Sequence, residues 1–183
     1  ALDGKSDIAV VPSIYAPARR RLAGLPLLVV EDNELNRQVA AELLGLEGAS
    51  VVLAESGLQG VEQTLTASPP FDVVIMDVQM PDIDGLEATR RIRAHAGFSS
   101  LPILAMTANA SPSDRALCLE AGMNEHVGKP IDINQVVDML LRLTAHYRLE
   151  HPAAGEDEVI AQELSSVEAP DSIRNRFGGN LHL

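Results

Sequence analysis

Five short apolar runs divide the middle of the chain. They cover residues 27–30, 51–54, 73–76, 103–106 and, most weakly, 125–127. The four stronger runs are continuously apolar rather than alternating, which is typical of strands buried on both faces of a sheet. Apolar residues between the runs have helical spacing, and strands that alternate with helices favour a parallel sheet. The pattern therefore predicts an α/β domain with a five-stranded, parallel, doubly wound sheet and helices on both faces.

Short polar residues and glycines indicate where these helices begin and end. Ser56, Asp84 and Asp132 each precede a Gln or Glu by three residues, which is the pattern of a capping box. Ser111 followed by proline predicts a further helix start, because proline suits the first helical position. Glycines at positions 48, 97 and 122 predict helix ends.

Helical spacing also predicts which faces of the helices are buried. In the first helix, expected to begin at Glu34, Val39, Leu43 and Leu46 fall on one face and should pack on the sheet. The last helix has a broad apolar stripe formed by Ile133, Val136, Val137, Leu140, Leu141 and Tyr147.

The two ends of the chain lack this periodicity. Residues 1–26 mix proline, glycine, serine and charged residues, which indicates a linker. Residues 150–171 contain seven acidic residues and no lysine or arginine, which is typical of a solvated linker. We therefore expect a domain at 27–148 between a linker at 1–26 and an acidic linker at 149–171, followed by a separate segment at 172–183.

Charge and composition restrict the classes of function. The net charge of −12 argues against binding to nucleic acid or to an anionic membrane surface. The single cysteine, Cys118, cannot form an intramolecular disulfide, which fits a reducing compartment. No apolar run has membrane-spanning length. We expect a monomeric, cytoplasmic domain without direct membrane contact, with the inner membrane as the candidate anchor of a larger parent protein.

Polar side chains follow the apolar runs, at the points where the strands should end. Glu31 and Asp32 follow the first run, Asp77 the third, Thr107 the fourth and Lys129 the fifth. Ligands of open α/β sheets bind outside the carboxyl ends of the strands. We therefore expect these five side chains to converge at one edge of the sheet.

This set of residues suits phosphoryl transfer with Mg²⁺. Neighbouring carboxylates repel one another unless a cation compensates them, and Mg²⁺ prefers oxygen ligands. Lys129 offers a compact positive charge to a phosphate, Thr107 offers a hydroxyl donor, and a carboxylate can attack phosphorus as a nucleophile. An isolated acidic pair is more often a helix cap, and an isolated Lys-Pro is more often a plain loop. The prediction therefore depends on their combination at successive strand ends.

Four motifs make residues 27 to about 147 resemble the receiver domains of two-component signalling. They are Val-Val-Glu-Asp-Asn at 29–33, Met-Asp-Val-Gln-Met-Pro-Asp-Ile-Asp-Gly at 76–85, Met-Thr-Ala-Asn-Ala at 106–110 and Gly-Lys-Pro at 128–130. The sequences of these motifs are similar to those of receivers fused to sensor histidine kinases, the hybrid kinases of bacterial phosphorelays. The resemblance implies a flavodoxin-like sheet with strand order 2-1-3-4-5.

The resemblance also assigns roles around a magnesium ion. It implies that Asp77 is the phosphoacceptor and that Asp32 and Asp77 bind Mg²⁺ directly. Glu31 would act mainly through water, and the backbone carbonyl of Gln79 would be a further metal ligand.

Thr107 and Lys129 would bind the phosphoryl oxygens, and Thr107 would form a switch with His126. Many receivers have tyrosine or phenylalanine at the position of His126, so a histidine that only packs is the alternative interpretation of this residue.

The implied partners are a histidine kinase or a histidine phosphotransfer domain, which would donate the phosphoryl group from phosphohistidine. Such a donor must dock at the rim beside Asp77. The candidate docking residues are Leu35 and Gln38 at the start of the first helix and Pro130 and Ile131 in the loop after the last strand, and we expect Leu35 to be at least partly exposed.

Residues 172–183 are similar to the opening helix of a histidine phosphotransfer domain. No kinase catalytic domain is recognisable, so the expected enzymatic property is self-catalysed phosphorylation and dephosphorylation of the receiver.

Three alternative functions compete with this interpretation. A flavodoxin needs a Ser/Thr-rich phosphate loop after the first strand, which is absent here. A phosphatase of the haloacid-dehalogenase type needs a second aspartate two residues after the nucleophile, where this chain has Gln79. The remaining alternative is a receiver that docks partners without phosphorylation. Such domains usually lose an acidic or lysine position, and this chain retains them all.

Overall fold

The computed structural model describes residues 20–151. The chain divides into two units after Tyr147, and all of the fold described here except the last three residues of the final helix belongs to the first. Residues 1–19 of the predicted linker, nearly all of the acidic linker and the segment 172–183 lie outside the described residues.

The strands are β1 (Pro26–Val30), β2 (Ser50–Ala54), β3 (Val73–Asp77), β4 (Ile103–Thr107) and β5 (Glu125–Gly128). The helices are α1 (Glu34–Leu46), α2 (Gly57–Thr66), α3 (Gly85–Arg93), α4 (Pro112–Ala121) and α5 (Ile133–Glu150), with a short 3-10 helix at Ala96–Phe98.

The five strands form one parallel sheet in the order β2-β1-β3-β4-β5. This confirms the predicted fold class and strand order. The order reverses between β1 and β3, and in such sheets the ligand crevice lies outside the carboxyl ends of the strands at this reversal. The candidate site is therefore expected where β1 and β3 end.

Apolar cores lie on both faces of the sheet. Successive strand residues point to opposite faces, so a strand covered on both sides must be apolar throughout. On one face, the strands pack against residues of α1 and α5, which include Ala40, Leu44, Val136, Val137 and Leu140. On the other face, they pack against residues of α3 and α4, which include Ala88, Ile92 and Cys118. Every residue of β3 and β4 is buried as a result.

The predicted helix caps are confirmed, with one exception among the glycines. Ser56 Oγ accepts a hydrogen bond from Gln59 N, Asp84 Oδ1 from Glu87 N, Ser111 Oγ from Asp114 N and Asp132 Oδ1 from Gln135 N. Gly48 and Gly122 follow α1 and α4 with left-handed φ angles of 88° and 110°. The helix end predicted at Gly97 is wrong. α3 already ends at Arg93 with a right-handed cap at Ala94, and Gly97 lies in the 3-10 helix.

The predicted buried face of α1 is also wrong. Val39 and Leu46 are 42% and 62% exposed, whereas Ala40 and Leu44 are buried. One residue corresponds to a rotation of about 100° around a helix, so the stripe through Ala40 and Leu44 turns Val39 away from the sheet.

The apolar stripes of α5 and β2 differ from the prediction in smaller ways. Leu141 of α5 is 42% exposed, and Thr144 is buried with its hydroxyl donating to Leu140 O at 2.7 Å. In β2 the residues alternate in exposure, with Val52 41% exposed, because this strand lies at the edge of the sheet.

The segment before β1 is part of the folded core. Leu22 and Leu25 are 1% and 3% exposed and pack in the core shared by α1 and α5. The guanidinium of Arg21 binds Glu47 at 2.7 Å and Asn134 at 3.0 Å, which connects the segment to the end of α1 and the start of α5. The linker prediction for residues 1–26 is therefore wrong at its C-terminal end.

Candidate functional site

Three carboxylates meet at the carboxyl ends of β1 and β3. Glu31 follows β1 directly and is buried, Asp32 is exposed, and Asp77 is the buried last residue of β3. One carboxylate oxygen of each residue lies within 4.8 Å of the other two. Because β1 and β3 are neighbours in the sheet, side chains 46 positions apart in the sequence share one crevice.

Lys129 places a positive charge between two of these carboxylates. Its Nζ lies 2.9 Å from Glu31 Oε2 and 2.9 Å from Asp77 Oδ1. Its backbone N–H donates to Thr107 O at 2.8 Å, which fixes the start of the loop after β5 beside the end of β4. Burial lowers the pKa of Lys129, but its hydrogen bonds to Glu31 and Asp77 outweigh this effect, and the pKa rises above its ordinary value.

Asp77 has one carboxylate oxygen that is held and one that is free of hydrogen bonds. Oδ1 contacts Lys129 and accepts a hydrogen bond from Gln79 N at 3.1 Å. Oδ2 is buried and has no hydrogen-bond partner within residues 20–151. Burial raises the pKa of Asp77 to about 7, against the lowering effect of Lys129, and the charge of Glu31 adds to the increase. A cation in the crevice would favour the ionised, nucleophilic form of Asp77.

The donor set of the crevice fits Mg²⁺. Hard divalent cations bind carboxylate and carbonyl oxygens, and Mg²⁺ commonly uses one or two carboxylates together with water or phosphate oxygens. Asp77 Oδ2 is a buried oxygen without a hydrogen bond to any described residue, and a carboxylate oxygen of Asp77 lies within 4.8 Å of oxygens of Glu31 and Asp32. Gln79, whose backbone carbonyl is a predicted ligand, lies two residues after Asp77 in the same loop.

The two predicted switch residues lie on neighbouring strands. Thr107 is the buried last residue of β4, and its hydroxyl donates to Asn109 O at 2.8 Å. His126 lies in β5 opposite Ala105 and is half-buried. Its Nδ1 is buried without a hydrogen bond to any described residue.

Three of the four predicted docking residues border a groove beside the carboxylates. Leu35 is 67% exposed, which confirms that it is accessible, and Pro130 is exposed while Ile131 is half-buried. The groove has a volume of about 440 Å³ and is lined by Glu31, Leu35, Asn36, Val39, Ala40, Met106, Lys129, Pro130 and Ile131. Gln38 is exposed on α1 but does not line this groove.

Three residues that hold the site together were missed in the sequence. Arg37 Nη1 donates to the backbone carbonyls of Glu31 and Asp32 at 2.8 Å each. Asp82 accepts hydrogen bonds from the first two N–H groups of α2, at 3.1 and 2.9 Å. Gly85 lies so close to the backbone of Asp77 that a Cβ atom would overlap its carbonyl oxygen. The motif at 76–85 contains two of these residues, but nothing in it distinguishes Asp82 from a plain turn residue.

The described helices include none that is both long enough and apolar enough to cross a membrane.

Curated relatives of the chain include a hybrid histidine kinase and a sensor protein. Hybrid signal transduction histidine kinase M of Dictyostelium discoideum is 36% identical over 120 residues, covering 64% of this chain and 5% of that protein. Sensor protein GacS of Pseudomonas syringae pv. syringae is 39% identical over 130 residues, covering 69% of this chain and 14% of that protein. The chain thus spans only a small part of these relatives.

Solved structures with the same fold include a receiver domain and a chemotaxis protein. The receiver domain of sensor histidine kinase PA1611 from Pseudomonas aeruginosa PAO1, with a magnesium ion in its active site cleft, is 38% identical with a TM-score of 0.62 over 67% of this chain and 99% of that chain. Chemotaxis protein CheY4 of Vibrio cholerae is 28% identical with a TM-score of 0.62 over 66% of this chain and 99% of that chain.

Residues 27–141, more than half of the sequence, match the response regulator receiver domain. The chain therefore belongs to the response regulator receiver domain family.

Proposed function

We propose that this receiver accepts a phosphoryl group on the carboxylate of Asp77 in a reaction that depends on Mg²⁺. The observation that carries the proposal is the state of Asp77: a buried carboxylate with one oxygen held by Gln79 N–H and Lys129 and the other without a hydrogen bond to any residue of 20–151. A buried carboxylate in this state is suited to bind a metal or to attack an electrophile. A role in packing alone leaves the free oxygen unexplained, because buried polar atoms are normally hydrogen-bonded.

Glu31, Asp32, Asp77 and the carbonyl of Gln79 would hold the metal. When bound, Mg²⁺ supplies positive charge that offsets the carboxylates and the oxygens of the transferring group. In the reaction, a carboxylate oxygen of Asp77 attacks phosphorus and forms an O–P bond. The N–P bond of the phosphohistidine donor breaks, and its electron pair stays on the imidazole nitrogen. Lys129, already 2.9 Å from Asp77 Oδ1, stabilises the negative charge on the transferred phosphoryl group.

Thr107 couples phosphorylation to the loop after β4. Its hydroxyl now donates to the neutral carbonyl of Asn109. A phosphoryl oxygen is a charged acceptor, and charge-assisted hydrogen bonds are about twice as strong as neutral ones. The hydroxyl would therefore turn from Asn109 to the phosphoryl group and release the loop. His126, half-buried on the adjacent strand, is the neighbouring side chain that we expect to respond.

The proposed context is a bacterial phosphorelay, in which the receiver is one module of a hybrid sensor histidine kinase. The similarity to hybrid signal transduction histidine kinase M and to sensor protein GacS supports the proposal. The donor would be a histidine kinase or a histidine phosphotransfer domain that docks on the groove bordered by Leu35, Pro130 and Ile131. This groove reaches Glu31 and Lys129, so a docked imidazole would lie beside the acceptor. A receiver that only docks partners would not need the complete set of carboxylates and Lys129.

The test is labelling by acetyl phosphate, followed by intact-protein mass spectrometry with Mg²⁺ or with EDTA. We expect one phosphoryl group on the wild-type protein with Mg²⁺ and none with EDTA. Asp77→Asn should not be labelled. Asp84→Asn is the matched control, because Asp84 is a carboxylate of the same loop that only caps α3, and it should be labelled normally. Labelling of Asp77→Asn at the wild-type level would refute the proposal, and an unlabelled wild-type protein would favour the docking-only alternative.

A further inference from the structure

Arg37 makes contacts that the chemistry proposed above does not use. It lies in the first turn of α1 and is half-buried. Its Nη1 donates to Glu31 O and to Asp32 O, both at 2.8 Å. Both acceptors belong to the main chain, so Arg37 does not itself occupy the carboxylate oxygens of Glu31 and Asp32. An arginine paired with the carboxylates themselves would instead compete with the metal for these oxygens.

Other hydrogen bonds of the same turn hold its two ends. Asn33 N donates to Glu31 Oε1 at 3.1 Å, and Asn33 Oδ1 accepts from Asn36 N at 3.0 Å. Arg37 N donates to Asn33 O at 3.0 Å. Asp32 lies in the middle of this turn with an exposed side chain, and the bond from Arg37 ties its carbonyl to α1.

We propose that Arg37 is a positioning residue of the metal site. Its guanidinium holds the peptide units of Glu31 and Asp32 so that both carboxylates face Asp77 before a metal binds. This inference rests on the proposed function, in which these residues hold Mg²⁺. Like charges within one site repel each other. Without the hydrogen bonds from Arg37, the exposed side chain of Asp32 would turn towards solvent. Metal binding would then have to bring it back at an entropic cost.

The charge of Arg37 and its geometry predict opposite effects on metal affinity. A positive charge near the crevice repels Mg²⁺, so removing only a charge should strengthen metal binding. Removing a group that orients the ligands should weaken it, and loss of such outer contacts typically costs 10- to 100-fold in metal affinity. Lysine retains the charge, but a compact ammonium on a flexible stem does not fix the directions of the two hydrogen bonds as the planar guanidinium does through Nη1. The sign of the change in metal affinity therefore shows whether Arg37 acts through its charge or by orienting the ligands.

The experiment measures the Mg²⁺ dissociation constant by calorimetry, together with the melting temperature of the metal-free protein. The variants are Arg37→Met and Arg37→Lys. The matched control is Arg115→Met: Arg115 is exposed, occupies the fourth position of α4 as Arg37 does in α1, and likewise donates its backbone N–H to the carbonyl of the helix cap. We expect both Arg37 variants to bind Mg²⁺ on the order of 10-fold more weakly. The control should bind at least as tightly as wild type.

Unchanged or tighter binding by Arg37→Met would overturn the inference, and so would wild-type affinity in Arg37→Lys. An equal loss in Arg115→Met would also overturn it, because the effect would then not depend on contacts to the acidic turn. If Arg37→Met does not fold, as judged by its melting curve, Arg37→Lys alone decides the question. A wild-type protein that binds no Mg²⁺ would refute the proposed function, and this inference with it, whereas normal wild-type binding with unaffected variants refutes this inference alone.

Discussion

Gly85 lies against the backbone of the phosphoacceptor, and Gly85→Ala should disturb it directly. The added Cβ would overlap the carbonyl oxygen of Asp77 and lie 2.9 Å from Asp77 C and from Val78 Cα. All three are backbone atoms, so no side-chain rotation can relieve the overlap. Overpacking of this kind costs about 1–3 kcal/mol. The shift would also strain the hydrogen bond from Gly85 N to Val78 O, now 2.8 Å and worth about 1 kcal/mol. We therefore expect a loss of about 2–4 kcal/mol in the free energy of unfolding.

Urea denaturation measures this loss, and Gly45→Ala is the control. Gly45 lies in α1, where an added Cβ would meet no atom within 4 Å. Alanine should therefore stabilise that helix by about 0.5–1 kcal/mol. In Gly85→Ala, a displacement of Asp77 by about 1 Å should also slow labelling by acetyl phosphate on the order of 100-fold. Wild-type stability would refute the steric argument. Reduced stability with normal labelling would show that α3 moves and Asp77 does not.

Two further predictions concern the loop after β3 and the docking groove. Asp82→Ala and Asp84→Ala each remove a carboxylate that caps a helix, at a cost of about 1 kcal/mol each, but only Asp82 ties the loop to α2. Mg²⁺ should bind Asp82→Ala more weakly than Asp84→Ala, and equal affinities measured by calorimetry would contradict this role of Asp82. Leu35→Asp should slow phosphoryl transfer from a histidine phosphotransfer protein more than about tenfold, equivalent to about 1.4 kcal/mol, and leave acetyl phosphate labelling unchanged. Equal slowing of both reactions would mean that Leu35 supports the fold and not the partner.

The strands were predictable because burial on both faces leaves a continuous signal. β3 and β4 extend one residue beyond their apolar runs, to Asp77 and Thr107, and these additional residues are the functional ones. A strand predicted from its apolar residues stops before Asp77 and Thr107, because each is a buried polar residue at a strand end. Edge position cannot be read from composition either, and β2 was expected to be as buried as the central strands although Val52 is exposed.

Helix orientation was harder to predict, because a helix with several apolar stripes allows several buried faces. In α1, leucines and valine at positions 39, 43 and 46 outweigh Ala40 in hydrophobicity. The small side chain of Ala40 nevertheless lies against the sheet together with Leu44. The close approach of α1 to the sheet favours a small residue there, and spacing alone does not reveal it. The larger Val39 is left at the surface, where it lines the groove beside the carboxylates.

The chemistry of the site and its geometry depend on different kinds of residue. Parallel topology brings strand ends together, so the order of the strands and the residues after them are sufficient to predict that Glu31, Asp77 and Lys129 meet. Arg37 acts through main-chain carbonyls, so its role follows from the path of the backbone and not from a pairing of residue types. Gly85 acts through the space that a side chain would fill. Arg37→Lys and Gly85→Ala should therefore leave the charges of the site unchanged and alter how well the site is assembled before the metal and the phosphoryl group bind.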